Sequence, residues 1–178
     1  PPGLAGALYV ELVERAHSRG AKVAIDTSGP ALASAVAARP DLVKPNHHEL
    51  AELVGRRLAT LDDVLDAARG VVEQGVPTVV VSLGARGAVA VTADEAVHAS
   101  AAVLAPRSTV GAGDCLLAGW LHAVAEGADA TVAIERAVRW GSAAVAMPGS
   151  SVPGPTDLAA IDVRVSPALT GDLAMTAD

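Results

Sequence analysis

The chain has 178 residues, of which 51% are hydrophobic and 19% charged, a size and composition typical of one folded globular domain. The net charge of −7 leaves no basic face for phosphodiesters, which argues against nucleic acid and against an anionic membrane as partners. The sequence shows neither a leader peptide nor an apolar run of membrane-spanning length, and its single cysteine, Cys115, suits a reducing compartment. We therefore expect a cytoplasmic protein.

The first half of the chain alternates between helical and strand patterns. Apolar residues at helical spacing predict four helices, at residues 4–19, 30–38, 47–55 and 61–74. Short apolar runs predict three strands, at residues 21–26, 41–45 and 78–83. These strands are too apolar to have a solvent-facing side, so the pattern indicates a parallel sheet that is covered by helices on both faces.

The second half begins with a predicted hairpin at the edge of this sheet. Its strands are "GAVAVT" and "AVHAS", and Ala93–Glu95 form the turn. Two long helices are predicted next, over Gly113–Glu126 and Asp129–Met147. The stretch after Pro148 is rich in Pro, Gly and Ser, which predicts one short helix and a frayed tail over about residues 156–178. We interpret residues 1–178 as a single domain.

The stretch "GAGD" places an acid at the start of the first long helix. The first N–H groups of a helix have no partner within the helix, and the helix dipole adds partial positive charge there. Gly111, Ala112 and Gly113 are small enough for an anion to approach these N–H groups. Asp114 is placed to accept a proton from an attacking hydroxyl. The motif therefore fits phosphoryl transfer, and a tight turn with an acid that complements the dipole is the alternative.

Two other nucleotide-binding patterns fit the sequence poorly. The P-loop pattern of Walker-type NTPases does not occur. The dinucleotide fingerprint needs Gly or Ala where this chain has Leu116.

Asn46 and Glu49 form a second candidate site at another predicted helix start. They lie one helical turn apart, so their oxygens can converge on one hydrated Mg²⁺ ion. The alternative is a capping box, in which Asn46 caps the helix and Glu49 is its surface acid. The adjacent His47 and His48 diverge on a helix, so we expect both to face solvent rather than a metal, and we expect the same of His17, His98 and His122.

The segment "STVGAGDCLLAG" closely resembles the C-terminal signature of the PfkB (ribokinase-like) carbohydrate kinases. The resemblance implies that Asp114 is the catalytic base and that Gly111, Ala112 and Gly113 form the anion hole. It implies that Asn46 and Glu49 organise Mg²⁺ and the nucleotide phosphates. The residues that it implies at the ATP site are Ser82, Gly84, Arg86 and Gly87 of the loop "SLGARG", and Gly141 and Ser142 beside the adenine.

The resemblance also implies a fold and an activity. The fold is an α/β three-layer αβα sandwich with a mostly parallel central sheet, here without the family's N-terminal part and β lid. "PPG", "DTSG" and "LVKPN" are most similar to the branch of 1-phosphofructokinases and tagatose-6-phosphate kinases. The expected reaction is phosphorylation of fructose 1-phosphate by ATP, with tagatose 6-phosphate, fructose 6-phosphate or a nucleoside as other acceptors.

Two expectations concern the chain as a whole. Because the family's sugar-binding part is not in this sequence, we expect the isolated chain to be weakly active or inactive. A noncatalytic nucleotide-binding fragment is the alternative to an enzyme. Relatives form dimers through the lid, which implies a homodimer for a full-length form.

Overall fold

The computed structural model describes residues 7–167, so Leu4 at the start of the first predicted helix and residues 168–178 of the predicted tail lie outside the described part. The helices are α1 (Ala7–His17), α2 (Gly29–Ala37), α3 (His47–Val54), α4 (Leu61–Glu73), α5 (Ala112–Ala125), α6 (Ala130–Val145) and α7 (Pro155–Ala159). The strands are β1 (Ala24–Ile25), β2 (Leu42–Val43), β3 (Thr78–Ser82), β4 (Ala88–Val91), β5 (Ala96–Ala101) and β6 (Val163–Pro167). Every predicted helix has a counterpart in this order.

Local capping explains where several helices begin. Asn46 is the N-cap of α3, as predicted, and its side chain accepts hydrogen bonds from the backbone of the first turn. Thr60 caps α4 in the same way together with Asp63, and Asp129 caps α6 through the N–H of Val132. These short-range signals place the helix starts within about two residues of the predicted positions.

The six strands form one mixed sheet in the order β1-β2-β3-β4-β5-β6. β1 pairs with β2 and β2 with β3 in parallel, with Val43 opposite Val79. Val79, Val80 and Val81 of β3 are fully buried, which agrees with the predicted strand that has no solvent-facing side.

Residues 163–167 differ from the prediction. Instead of continuing as a frayed tail, Val163–Pro167 form β6, which pairs with β5 antiparallel, with Ala99 opposite Val165. The predicted hairpin is therefore not the sheet edge, because β6 lies beyond β5. Val163 and Val165 are half-buried while Arg164 and Ser166 are exposed, so a period-two pattern was present over a stretch too short to stand out.

The described residues divide into two compact units. The first contains residues 7–81 and 91–96, and the second contains residues 82–90 and 97–167. Leu32, Leu50 and Leu65 are among the buried side chains of the first unit, and Trp120 and Ile134 among those of the second. The prediction of a single domain over residues 1–178 stays a prediction.

Across residues 7–167, every helix is too short or too polar to span a bilayer.

Candidate active site

The turn before α5 leaves backbone donors open at the helix start. Gly111 is the N-cap residue, it adopts a left-handed conformation (φ +79°), and no side chain caps the helix. The N–H of Ala112 donates to the Thr109 carbonyl oxygen at 3.2 Å. The N–H groups of Gly113 and Asp114, by contrast, have no acceptor within residues 7–167. Together with the dipole of a 14-residue helix, these two donors can bind an anion.

Asp114 is in the first turn of α5, and its side chain is exposed to solvent. The carboxylate is thus accessible to a substrate and lies on the same turn as the open N–H groups. The next residue, Cys115, is half-buried. Burial raises the pKa of its thiol, and the negative charge of Asp114 raises it further. Because the thiolate is the nucleophilic form, the raised pKa makes Cys115 a weaker nucleophile at neutral pH than an ordinary exposed cysteine.

The loop between β3 and β4 contains the residues predicted for the nucleotide phosphates. Gly84–Arg86 form a 3₁₀ turn, and the N–H of Leu83 donates to the Gly87 carbonyl oxygen at 2.8 Å, which closes the loop. Gly84 and Gly87 both adopt positive φ, at +60° and +84°. Ser82, the last residue of β3, is half-buried. The loop therefore has a defined shape before any ligand binds.

Strand β5 accounts for the glycine at position 87. A Cβ there would lie 2.0 Å from the Ala99 carbonyl oxygen and 2.7 Å from the Ser100 Cα. The ring of His98, also on β5, donates from Nε2 to the Arg86 carbonyl oxygen at 2.8 Å. His98 is thus half-buried beside the loop, and the prediction that it faces solvent was wrong. The packing of β5 against this loop cannot be deduced from the residues that neighbour His98 in the sequence.

Gly141 and Ser142 lie in the last part of α6. Gly141 is buried where α6 crosses the start of α5, and Ser142 is half-buried. This crossing by itself accounts for a residue without a side chain at position 141. Contact of Gly141 and Ser142 with adenine stays a prediction.

In the first unit, Asn46 and Glu49 form the capping box that the sequence left as an alternative. Asn46 Oδ1 accepts from the N–H groups of His48 and Glu49, each at 2.9 Å. Glu49 Oε2 accepts from the N–H of Asn46 at 2.8 Å. Each carboxylate oxygen has more than one lone pair, so the box does not use up the capacity of Glu49 for a cation. The two oxygen-bearing side chains fit Mg²⁺ by donor type.

The histidines beside this box differ in exposure. His48 is exposed, as predicted, but His47 is only 9% exposed, so the prediction that it faces solvent was wrong. Their rings lie 3.8 Å apart between centroids. Over residues 7–167, no group of three His, Cys, Asp or Glu side chains is arranged to hold a metal ion.

An ion pair between a buried lysine and a more exposed aspartate lies near the same box and was not predicted. Lys44 directly follows β2, and its Nζ lies 3.0 Å from Oδ2 of Asp26, which directly follows β1. The Lys44 side chain is only 6% exposed and that of Asp26 is 31% exposed. Both residues lie at the carboxyl ends of neighbouring parallel strands, where open α/β sheets bind ligands. The signal in the sequence that could have indicated this pair was Lys44, a charged residue between the apolar run of β2 and Pro45.

Known proteins share both the sequence and the fold of this chain. A 1-phosphofructokinase from Rhodobacter capsulatus is 45% identical over 161 residues, which cover 90% of this chain and 51% of that protein. The structure of phosphofructokinase-2 from Escherichia coli matches with a TM-score of 0.85 and 35% identity, over 89% of this chain and 52% of that one. A Thermotoga maritima ribokinase matches with a TM-score of 0.70 and 25% identity, over 84% of this chain and 51% of that one. The predicted ribokinase-like α/β fold is thereby confirmed.

The chain spans about half the length of the relatives that it matches. The sequence model of the pfkB family carbohydrate kinases matches residues 1–157, which include the turn before α5, the loop before β4 and the capping box of α3. The chain therefore belongs to the pfkB family of carbohydrate kinases.

Proposed function

We propose that the protein acts in the ATP-dependent phosphorylation of a sugar-phosphate hydroxyl, with Asp114 as general base. The observation that carries this proposal is the start of α5, where an exposed carboxylate shares one helical turn with two open N–H groups. An attacking alcohol needs a proton acceptor, and the transferring phosphoryl group needs stabilisation of negative charge. The first turn of α5 supplies both.

In the proposed reaction Asp114 accepts the proton of the acceptor hydroxyl. The hydroxyl oxygen forms a bond to the γ-phosphorus of ATP while the bond from that phosphorus to the β,γ-bridging oxygen breaks, and ADP leaves. The turn of Gly111, Ala112 and Gly113 allows close approach of the phosphoryl oxygens, and the N–H groups of Gly113 and Asp114 donate to them. The negative charge that develops in the transition state is stabilised in this way.

The remaining predicted site residues serve the nucleotide in this proposal. Asn46 and Glu49 would hold Mg²⁺ through their oxygens, and the metal would neutralise charge on the phosphates. The loop residues Ser82, Gly84, Arg86 and Gly87 would border the ATP phosphates. Gly141 and Ser142 would adjoin the adenine.

Fructose 1-phosphate is the acceptor that we propose first, because the Rhodobacter capsulatus relative carries the name of a 1-phosphofructokinase. Tagatose 6-phosphate, fructose 6-phosphate and a nucleoside are the other acceptors. Since ATP and sugar phosphates are metabolites of the cytoplasm, that location stays our expectation. A homodimer of a full-length form also stays a prediction from the resemblance.

A noncatalytic nucleotide-binding role is the second candidate. It is favoured by one observation, that the loop of Gly84–Arg86 is closed by its own backbone hydrogen bond and has a defined shape before any ligand binds. The two candidates share the ATP site and differ in turnover.

The test is ADP release by the purified chain with MgATP and each of the sugar phosphates, beside calorimetric titration with MgATP. Turnover with fructose 1-phosphate above the rate without acceptor supports the kinase. MgATP binding without turnover on any acceptor favours the noncatalytic role. Neither binding nor turnover would refute both.

A further inference from the structure

The two long helices of the second unit touch through glycines at two places. Gly119 of α5 faces the backbone of α6, where a Cβ would lie 2.8 Å from the Arg136 carbonyl oxygen and 3.0 Å from the Ala137 Cα. Gly141 of α6 faces α5, where a Cβ would lie 3.2 Å from both the Ala112 carbonyl oxygen and the Leu116 Cβ. A side chain at position 119 would therefore force the helix backbones to move, and one at position 141 would be tight.

The two contacts differ in what they hold. Gly119 contacts the middle of α6, and it lies about 10 Å along α5 from Ala112 at the helical rise per residue. A Cβ at position 141 would meet the carbonyl of Ala112, the first residue of α5 and a member of the proposed anion hole. A contact at position 141 is thus transmitted directly to the turn that carries the open N–H groups.

Helix α6 also holds the segment that leads into this turn. The carbonyl oxygen of Val145, the last residue of α6, accepts from the N–H of Arg107 at 2.8 Å and from the N–H of Ser108 at 3.3 Å. The Ser108 Oγ in turn accepts from the N–H of Val110 at 3.2 Å. The segment from Arg107 to Ala112 is therefore hydrogen-bonded to α6 at its start, and its end lies close to α6 at Gly141.

We infer that Gly141 is a positioning residue, which sets the place of the anion-hole turn through its contact with Ala112, and that α6 serves as the template for that turn. A methyl group at position 141 would require its neighbours to move by a few tenths of an ångström. The Ala112 carbonyl belongs to the backbone and cannot rotate away as a side chain can. The first turn of α5 must then shift, with the N–H groups of Gly113 and Asp114.

The catalytic consequence rests on the proposed function, whereas the structural consequence does not. Small displacements of transition-state donors lower the rate of chemistry more than they lower substrate affinity. We expect Gly141→Ala to reduce kcat by about tenfold and to raise KM for ATP by a smaller factor, although Gly141 also adjoins the proposed adenine site.

Gly119→Ala is the matched control, because it adds the same methyl group to the same helix pair away from the turn. Its contacts at 2.8 and 3.0 Å are shorter than those at Gly141, so it should lower the melting temperature more. It should nevertheless leave kcat within about twofold of the unaltered protein, since the turn is not touched. Gly119→Ala should thus be the less stable variant, and Gly141→Ala should have the lower kcat.

The experiment combines kcat and KM with thermal melting and with the backbone amide NMR resonances of the ligand-free protein. Gly141→Ala should displace the resonances of Gly113 and Asp114, and Gly119→Ala should leave them in place. The inference is overturned if kcat falls in proportion to melting temperature in both variants, or if Gly141→Ala leaves those resonances unchanged. Absence of turnover in the unaltered protein bears on its activity alone, because the resonances still test the positioning.

Hydrogen exchange of the unaltered protein tests the template without any variant. If α6 fixes the turn, the Arg107 amide should be protected to the same extent as the backbone amides in the last turn of α6. Exchange of the Arg107 amide at the rate of an unstructured peptide would overturn the inference, even where Gly141→Ala does not fold.

Discussion

Helices α3 and α5 begin in opposite ways. At α3 the side chains of Asn46 and Glu49 satisfy the backbone donors of the first turn and of the cap residue. At α5 the cap residue is Gly111, which has no side chain to offer, and the N–H groups of Gly113 and Asp114 stay open. A capped start stabilises its own helix, and an open start keeps its donors for a ligand. The comparison teaches that the stabilising contribution of a cap, about 1 kcal/mol, is absent where the anion would bind.

The largest effect is expected from replacing Asp114, the acid in the first turn of α5. Asp114→Asn should lower kcat by about 1,000-fold with MgATP binding nearly unchanged, because a general base acts in the transition state. The measurement is ADP release with fructose 1-phosphate beside calorimetry with MgATP.

Asp129→Asn is the matched control for Asp114→Asn. Asp129 also stands at a helix start, but its Oδ1 caps α6 by accepting from the N–H of Val132 at 2.9 Å, and asparagine caps equally well. Equal losses of turnover in the two variants would mean that helix-start acids serve only the fold here.

The next effect concerns Asp41, an acid held by the fold. Burial raises its pKa, but hydrogen bonds from Lys22, the Val23 N–H and His17 outweigh burial and lower the pKa from 3.8 to about 2. A lowered pKa in the folded state stabilises the protein above pH 3.8, and this contribution is lost as the pH falls toward 2. Asp41→Asn should thus reduce the free energy of unfolding by about 2 kcal/mol at neutral pH.

Urea unfolding between pH 7 and pH 2 measures this effect. The unaltered protein should lose stability between about pH 4 and pH 2, and Asp41→Asn should show a shallower decline there. Parallel curves for the two proteins would contradict the assignment to Asp41.

A smaller effect sharpens the comparison at the capped start. Glu49→Gln keeps an oxygen that can accept from the N–H of Asn46, so the box survives, but the charge is lost. If Glu49 holds Mg²⁺, the Mg²⁺ concentration for half-maximal turnover should rise about tenfold.

Asp63 occupies the same position in the box of α4, where its Oδ2 accepts from the N–H of Thr60 at 3.0 Å. Asp63→Asn is therefore the matched variant for Glu49→Gln and should leave the Mg²⁺ requirement unchanged. An equal shift in both variants would show that it arises from helix stability rather than from metal binding.

The smallest effect is expected at Cys115. Burial and the charge of Asp114 raise the pKa of its thiol, so alkylation by iodoacetamide at pH 7 should be slower than that of an exposed cysteine. Cys115→Ser should change kcat by less than about twofold, because the thiol has no proposed role. Rapid alkylation that abolishes nucleotide binding would contradict this assignment.

Features that depend on residues close together in the sequence could be predicted, and features that depend on residues far apart in the sequence could not. The Asn46 cap, the long helices and the buried strand β3 depend on neighbouring residues, and all were predicted. Strand β6 was missed because its pairing with β5 joins residues more than 60 positions apart. The burial of His47 and the hydrogen bond from His98 likewise depend on packing that a linear pattern does not contain.

The candidate site also has a part that the local sequence predicted and a part that it did not. The motif identified the residues around Asp114 by type, since glycines and an acid at a helix start have a local meaning. It did not indicate that Gly141 contacts Ala112 or that Lys44 pairs with Asp26. Those relations arise from tertiary contacts between elements, and each would have needed the register of two elements to be known.

The crowding at Gly87 has a consequence for mutational scans of this chain. Its positive φ and the backbone atoms of Ala99 and Ser100 exclude every side chain, whether or not a nucleotide binds nearby. A saturation library should therefore recover only glycine at position 87 even under selection for folding alone. Intolerance there reports on the backbone, and information about the ligand must come from a residue such as Ser82, at the end of β3.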